Sequence, residues 1–320
     1  MKKTEKMATP EILVTGASGG QQGATGNHVA RILLQRGVPV RALVHRDDER
    51  SDNIRALGAE IMEGDLLDLQ YVRNAMIGIR RAYFTYPVQE GLLDATAVFA
   101  AIAREAGLEL VVNLSQLLTR LGDHPTPHQK RHWLSEQIFD WADIGAVHLD
   151  ATVFYENLRA LARGSLAKAG AILLPWGPDS TTLPMVSAED VSRVAVGLLL
   201  GPVQPKNTVL PLVGAIVTVR DMAAAFSEAL GKPIRYREIT DDQWVQNVSG
   251  TGLNHVALEH LTDLWRYLRT RSPEFQASYQ VTDTIERIGG QPPKSLRQFL
   301  AEQGHQFSVG DPISSMDKGS

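Results

Sequence analysis

The sequence predicts an α/β fold: a doubly wound parallel sheet with helices on both faces, followed by a smaller, mainly helical C-terminal part. Three observations support this prediction. Apolar strand-like runs alternate with helical runs through the first half of the 320-residue chain, which is the pattern of βαβ crossovers. A glycine-rich turn joins the first strand to the first helix. The regular alternation ends near residue 153, and a more helical pattern follows.

The first half is predicted element by element from its apolar runs. Strands are expected at Glu11–Thr15, Val40–Val44, Glu60–Met62, Arg81–Thr85, Leu108–Leu114 and Ala146–Val153. Helices with apolar residues every three or four positions are expected at Asn27–Arg36, Ser51–Leu57, Leu69–Met76, Leu92–Arg104 and Gln129–Ala142. We expect Gly37 and Gly107 to end two of these helices, because glycine readily adopts the left-handed conformation that ends a helix.

The second half opens with a helix over Ala188–Leu200, for which Ser187 is the expected N-cap. Further strands are expected at Asn207–Leu212 and Ile234–Ile239, and further helices from Thr218 to Leu230, at Leu253–Thr270 and at Leu296–Gln303. We therefore expect polar tails at 1–9 and 308–320, a sheet domain at 10–153 and a C-terminal part at 154–307, of which 186–212 packs back on the sheet.

Composition excludes several classes of protein. The chain carries 32 Lys and Arg against 36 Asp and Glu, a net charge of −4, so no strong positive field attracts nucleic acid or an anionic membrane. It has no cysteine, which excludes disulfides, cysteine-bound zinc and thiol catalysis. No apolar stretch approaches the ~20 residues of a membrane span. We expect a cytoplasmic protein with a small-molecule substrate, without a nucleic-acid or membrane partner, and compatible with a homodimer.

The turn after the first strand carries the strongest motif. Its candidate cofactor-binding residues are Gly16, Ser18, Gly19, Gly20, Gly23 and Gly26. Glycines between a strand and a helix let the backbone approach a pyrophosphate, which the helix N-terminus then binds. Two other interpretations stay open: a surface loop without a ligand, and the G-x-S-x-G elbow of α/β-hydrolases, which also matches. That elbow needs an earlier strand for its oxyanion loop, whereas Ser18 follows the first strand.

The next three strand ends carry the remaining candidate cofactor residues: His45, Arg46, Asp65, Leu66, Thr85, Tyr86 and Pro87. A basic residue after the second strand suits the 2′-phosphate of NADP, whereas an acidic one suits the ribose of NAD. His45 and Arg46 therefore favour NADP(H), although Asp47 and Asp48 follow at once and leave NAD(H) open. Asp65 is either an acceptor for the adenine amino group or a cap for the next helix.

Five segments carry a family resemblance: Val14-Thr-Gly-Ala-Ser-Gly, Val40-Arg-Ala-Leu-Val-His, Gly64-Asp-Leu, His132-Trp-Leu-Ser-Glu and Ala151-Thr-Val-Phe-Tyr-Glu-Asn. Together they resemble the NmrA-like branch of the atypical short-chain dehydrogenase/reductase superfamily over most of residues 11–200. The resemblance implies a Rossmann fold, bound NADP(H) or NAD(H), and a smaller C-terminal substrate-binding domain. Members include reductases similar to triphenylmethane reductase and quinone oxidoreductase, and dinucleotide-binding regulators.

The chain departs from the family pattern in three places. Ten positions separate Gly16 from Gly26, against six in the usual G-x-x-G-x-x-G turn, and by register Gly26 should be the last glycine. No tyrosine is followed four residues later by lysine, so the Tyr-x-x-x-Lys pair of ordinary members is missing. Asp150 and Ala151 replace the Arg-Pro that follows the sixth strand in many relatives.

Candidate catalytic residues come from the ends of the fifth and sixth strands and the helix between them: His132, Ser115 and Tyr155. His132 has two interpretations. It is either a proton donor, because the pKa of a histidine lies near working pH, or a residue packed on a helix face. Ser115 matches the family's serine, or caps a turn. Gln116, Phe154 and Tyr155 are candidate substrate contacts, with core packing as the alternative for the aromatic pair. His128 and His132 lack a third ligand, so no metal is expected.

Two functions remain open. The first is an NADPH-dependent reductase of a small conjugated or aromatic carbonyl, quinone or imine compound. The second is a noncatalytic regulator that senses the NAD(P) redox state through a protein partner. The missing Tyr/Lys pair favours the regulator, and the aromatic residues near the sixth strand favour the reductase.

Overall fold

The computed structural model describes residues 10–19, 24–117, 125–249 and 252–307. Its strands are β1 (Ile12–Val14), β2 (Val40–Val44), β3 (Glu60–Glu63), β4 (Arg81–Phe84), β5 (Leu110–Gln116), β6 (Ala146–Ala151), β7 (Val153–Phe154), β8 (Ala171–Leu174), β9 (Thr182–Val186), β10 (Thr208–Leu212), β11 (Ala215–Thr218) and β12 (Arg235–Glu238).

Helices alternate with the strands through the first half and dominate the chain after residue 240. They are α1 (Thr25–Gln35), α2 (Glu49–Ala56), α3 (Leu69–Ala75), α4 (Leu92–Ala106), α5 (Pro127–Ala142), α6 (Asn157–Ala169), α7 (Ala188–Leu200), α8 (Val219–Leu230), α9 (Asp241–Val248), α10 (His255–Arg269), α11 (Pro273–Ala277), α12 (Thr284–Gly289) and α13 (Leu296–Gln303), with a last 3₁₀ turn at Gly304–Phe307.

The chain divides into two compact units. The first comprises the described residues of Met1–Thr152 with Ala188–Val213 and Thr282–Pro293, and the second comprises those of Val153–Ser187, Gly214–Val281 and Lys294–Ser320. Residues 282–293 therefore lie in the first unit, although the sequence pattern assigned them to the C-terminal part. The physical reason is the contact of α12 with α7, described below.

The first unit contains a seven-stranded parallel sheet in the order β3-β2-β1-β4-β5-β6-β10. This order reverses between β1 and β4, as in a doubly wound sheet, and it confirms the predicted α/β fold. The three residues of β1 and the five of β2 are all buried, which requires helices on both faces of the sheet. β10 extends the sheet beside β6, with Thr208 opposite Val147.

Helix α7 packs on this sheet and holds α12 by a backbone contact. A Cβ on Gly197 of α7 would lie 2.4 Å from the carbonyl oxygen of Ile288, so the two helices approach as closely as two backbones can. Arg193 donates to the carbonyl oxygens of Gly289, at 3.1 Å, and of Gln291, at 3.2 Å. These contacts bring α12 into the first unit.

The second unit combines helices with two small sheets. β9 pairs with β11 antiparallel and with β7 parallel, and β8 pairs with β12 parallel. The buried rings of Trp176 and Trp265 pack 5.0 Å apart in its core. The predicted helical character of this part holds, but β7, β8, β9 and β11 were not predicted, because runs of two to five residues show little alternation of apolar and polar positions.

Gly26 should be intolerant of any side chain, because a Cβ there would lie 2.3 Å from the carbonyl oxygen of Thr15. We expect Gly26→Ala to lower the free energy of unfolding by about 2 kcal/mol, the usual cost of overpacking. Gly164→Ala is the control, since a Cβ at this helical glycine meets no atom within 4 Å and should be neutral or stabilising by up to ~1 kcal/mol. Urea unfolding measures both; equal effects would contradict the packing argument.

Candidate functional site

The turn between β1 and α1 bends through two glycines in the left-handed region. Gly16 has φ +63° and Gly19 has φ +77°, a conformation that favours glycine. The Gly19 N–H donates to the Gly16 carbonyl oxygen at 3.1 Å, which closes a tight turn, and Ser18 is half-buried within it. Of the predicted cofactor residues, Gly20 and Gly23 lie outside the described residues.

Gly26 sits where α1 meets the end of β1. Besides its close approach to Thr15, a Cβ on Gly26 would lie 2.7 Å from the Gly16 carbonyl oxygen. This is the close helix-on-strand contact expected of the last glycine of a dinucleotide-binding turn. The contact places the first turn of α1 directly over the carboxyl end of β1.

The N-terminus of α1 has features that suit an anion. Its N-cap, Ala24, lies in the left-handed region with φ 51°, and its methyl group cannot accept a hydrogen bond from the helix N–H groups. The first turn carries no acidic side chain over its described residues 25–28, so nothing there opposes the positive end of the helix dipole. Asn27 Nδ2 donates to the Ala17 carbonyl oxygen at 2.8 Å, which fixes the turn against the helix.

Thr15 links the carboxyl ends of β1 and β4, on either side of the point where the strand order reverses. Its Oγ1 donates to the Thr85 carbonyl oxygen and accepts from the Thr85 N–H, both at 2.8 Å. Thr85 and Tyr86 are half-buried and Pro87 is exposed. The Tyr86 hydroxyl donates to the Glu90 carbonyl oxygen at 3.1 Å. The structure therefore brings Gly16, Gly26 and Thr85 together at one crevice.

Buried hydrogen bonds to Thr25 hold the first turn of α1 in place beside this crevice. Tyr83 of β4 is fully buried, and its hydroxyl donates to Thr25 Oγ1 at 2.8 Å. Ser192 of α7 donates to the Thr25 carbonyl oxygen at 3.3 Å. Sequence reasoning missed both partners, because they lie 58 and 167 residues from Thr25.

In the segment after β2 the basic residues are exposed to solvent, whereas the acidic ones have local partners. His45 and Arg46 are exposed, and neither makes a hydrogen bond or ion pair with another residue that the structure describes. Asp48 caps α2, and its hydrogen bond from Arg50 holds the pKa of the Asp48 carboxyl below its usual value. Asp47 pairs with Arg55. The two acids are therefore engaged locally.

Asp65 lies on the surface after β3. Its Oδ1 accepts from the Leu67 N–H at 2.9 Å, and Leu66 between them is half-buried. The cap of α3 is Asp68, which accepts from Gln70 and Tyr71. The alternative in which Asp65 caps that helix is therefore wrong.

Ser115 forms a buried pair that the sequence did not predict. Ser115 lies on β5 with 2% of its surface exposed, and its hydroxyl donates to Glu136 Oε1 of α5. Glu136 is completely buried. The hydroxyl proton of Ser115 is thus directed at a carboxylate, and Gln116, the next residue, is half-buried.

His132 does not have the pKa expected of it. Its ring packs edge-on against His128, with centroids 4.8 Å apart. Burial, and secondarily the neighbouring His128, hold the pKa of His132 well below its ordinary value. Burial likewise lowers the pKa of His128 to about 4. The expectation that His132 titrates near working pH is wrong, and its imidazole is neutral at pH 7.

The aromatic candidates after β6 belong to the second unit. Tyr155 is 0% exposed, its ring lies 5.4 Å from that of Phe299, and its N–H donates to the Val186 carbonyl oxygen at 3.0 Å. These contacts are those of a core residue. Phe154, one residue earlier in β7, is half-buried.

The sheet order, the glycine turn and a helix N-terminus whose N-cap residue, Ala24, makes no side-chain hydrogen bond define the class: a Rossmann-type α/β protein with a dinucleotide-binding turn. The model of the NmrA-like family matches residues 8–268. The chain therefore belongs to the NmrA-like family. None of the helices in the described ranges combines the length and the apolar character of a membrane span.

Three known proteins are similar to this chain in sequence or in fold. The chain is 27% identical to the NAD(P)H azoreductase of Xenophilus azovorans over 301 residues, which cover 93% of this chain and 99% of the relative. Its fold matches that of an NADPH-dependent quinone oxidoreductase of Escherichia coli with TM-score 0.76 and 18% identity, covering 92% and 99% of the two chains. It also matches NmrA, a negative transcriptional regulator solved with NADP, with TM-score 0.73 and 16% identity, covering 92% and 95%.

The buried histidines predict a loss of stability in acid. Between pH 6.5 and 4 the unfolded chain binds protons at His128 and His132 that the folded state excludes, so the free energy of unfolding decreases as the pH falls, by up to about 1.4 kcal/mol per pH unit for each histidine. His128→Gln should make this decrease shallower. Urea unfolding at a series of pH values measures it, and an unchanged slope would contradict the assignment.

Proposed function

We propose that the protein is an NAD(P)H-dependent reductase of small aromatic or conjugated compounds such as quinones, azo compounds or imines. The observation that carries the proposal is the contact of Gly26 with the end of β1, which sets the first N–H groups of α1 at the carboxyl end of that strand, where a pyrophosphate would bind. The full-length similarity to an azoreductase supports the reaction class.

The described residues fit a bound dinucleotide. The first N–H groups of α1 and the Gly16–Gly19 turn would hold the pyrophosphate, and Thr85 to Pro87 would border the nicotinamide. Leu66 and Asp65 would border the adenine. The nicotinamide supplies a hydride to the substrate when it is bound in reduced form.

NADPH is the proposed preference. Arg46 and His45 are exposed at the end of β2, where a cation meets a 2′-phosphate. The acids that would favour NAD are engaged elsewhere, Asp48 with Arg50 and Asp47 with Arg55.

Ser115 and His132 act by position rather than by proton donation. The Ser115 hydroxyl donates its one hydrogen bond to Glu136, so toward a substrate its oxygen can only accept a hydrogen bond. His132 is neutral because burial lowers its pKa. The substrate's proton then comes from solvent, which suits quinones and azo compounds because their reduced anions take protons directly from water. We place this chemistry in the cytoplasm.

The test is turnover. We expect the protein to oxidise NADPH in the presence of a quinone or azo dye, with absorbance at 340 nm as the measurement.

Arg46→Ala should raise the KM for NADPH about 10-fold or more and leave the KM for NADH unchanged, since one charge-assisted hydrogen bond to the 2′-phosphate is lost. Arg36→Ala, an exposed arginine just after α1, is the control. Tight binding of dinucleotide without turnover of any acceptor would favour the regulator instead.

We also propose a homodimer through α4 and α5. Along α4, the residues Asp94, Ala97, Ala101 and Arg104 share one exposed face. An antiparallel pair of α4 helices about a two-fold axis brings alanines together and sets Asp94 against Arg104 of the partner subunit. Trp141 on the neighbouring α5 is 71% exposed, a degree of exposure that a partner surface explains.

The proposed interface can be tested by exchanging the charges at Asp94 and Arg104. Arg104→Asp should weaken the dimer at least ~10-fold, because two like-charge contacts replace two attractive ones. Adding Asp94→Arg to the same chain should restore it. Sedimentation equilibrium measures the dimer constant. A wild-type protein that stays monomeric at all concentrations, or a double variant no tighter than the single one, would contradict the proposed interface.

A further inference from the structure

The end of α10 and the short α11 carry a cation held between aromatic rings. The Arg271 guanidinium lies 3.7 Å from the centre of the Tyr267 ring and 5.3 Å from that of Phe275. The Phe275 ring is perpendicular to that of Tyr279, with centroids 5.7 Å apart. We call Tyr267, Arg271, Phe275 and Tyr279 the Arg271 cluster. All four belong to the second unit.

Two donors of this cluster are buried without an acceptor. Arg271 Nε and the Tyr279 hydroxyl are shielded from solvent and have no hydrogen-bond partner within the described chain. Tyr279 is 7% exposed, and burial raises the pKa of its hydroxyl to about 12, so it remains a donor at pH 7. A buried donor without an acceptor is costly and calls for a specific explanation.

The other arginines at the end of α10 differ from Arg271. Arg266 and Arg269 both pair with Asp241, at 3.0 and 2.7 Å. Arg271 makes no ion pair within the part of the chain that the structure describes. Glu274, three residues away, bonds to the first turn of α11, and this lowers the pKa of its carboxyl. Arg271 itself is half-buried against aromatic rings.

The backbone of the cluster is held in place by Gln276. Its Nε2 donates to the Arg271 carbonyl oxygen at 3.0 Å, and its Oε1 accepts from the Thr182 N–H of β9 at 2.8 Å. Ser272 caps α11. The cation and the tyrosine hydroxyl are therefore preorganised, which reduces the entropy lost when a ligand binds.

We propose that the Arg271 cluster binds an aromatic anion, an aryl carboxylate or sulfonate. The guanidinium donates to the anionic oxygens through its Nη groups, which unlike Nε are not among the shielded atoms, a role that arginine fills well. The Tyr279 hydroxyl is a second donor beside it, and the half-buried Phe275 ring packs on the ligand's ring. That this anion is one end of the substrate rests on the proposed reductase function; the binding itself does not.

The experiment is calorimetric titration of the full chain without cofactor. Naphthalene-2-sulfonate and naphthalene-2-carboxylate are the probes, naphthalene-2-sulfonamide is the neutral isostere, and inorganic phosphate lacks the ring. We expect wild-type protein to bind at least one of the two aryl anions and to bind the sulfonamide and phosphate at least ~10-fold more weakly, because charge-assisted hydrogen bonds are the stronger ones. The stronger of the two anions identifies the group that the cluster prefers.

Variants assign the binding to the cluster. Arg271→Gln should weaken binding of the aryl anion ~10-fold, and Tyr279→Phe, which removes only the hydroxyl, by a smaller factor. Arg235→Gln removes an exposed positive charge from the same unit and should have no effect. Thermal unfolding confirms that the variants fold. The inference is overturned if wild-type protein binds neither anion, if it binds the sulfonamide equally well, or if Arg271→Gln binds like wild type.

Turnover separates this inference from the proposed function. A reductase that uses the cluster should show a higher KM for a sulfonated dye in Arg271→Gln, with an unchanged KM for its unsulfonated analogue. An inactive protein that still binds aryl anions through Arg271 would contradict the reductase proposal alone. An active protein whose binding of aryl anions does not depend on Arg271 would contradict the binding site alone.

Discussion

The contact of the Gly26 backbone with the carbonyl oxygens of Thr15 and Gly16 is the constraint on which the first unit depends. It lets α1 begin directly over the carboxyl end of β1, and the dipole of α1 then points its positive end into the crevice beside β4. Tyr83 and Thr85 hold this arrangement from β4, through Thr25 and Thr15. A larger residue at position 26 would move the helix and with it the row of N–H groups that meets a phosphate.

Burial decides what the side chains near β5 can do. A titrating histidine and an accessible serine would be general acid and donor, but here His132 is held neutral and Ser115 is bonded to Glu136. In the proposed function these two residues position the substrate without giving up a proton. This agrees with the missing Tyr-x-x-x-Lys pair and with our proposal that the acceptors take their proton from water.

Much of the fold could be predicted from the sequence, and less of the site. The βαβ rhythm and the glycine turn predicted the parallel sheet, since burial on both faces makes each strand an unbroken apolar run. Four short strands of the second unit, β7, β8, β9 and β11, were missed, because two to five residues carry too little periodicity. Some contacts of the site join positions that are distant in the sequence, so no local pattern predicts them. These are the Ser115–Glu136 pair and the hydrogen bonds of Thr25 with Tyr83 and Ser192. The pKa of His132 depends on burial, which a single sequence does not give.

Binding of a nicotinamide dinucleotide at the turn between β1 and α1 underlies every role proposed for the first unit. Calorimetric titration of the purified protein with NADPH, NADP+, NADH and NAD+ measures this binding. We expect saturable binding with one site per chain, tighter for the phosphorylated pair than for NADH and NAD+. If none of the four binds, the lengthened glycine turn is not a phosphate site.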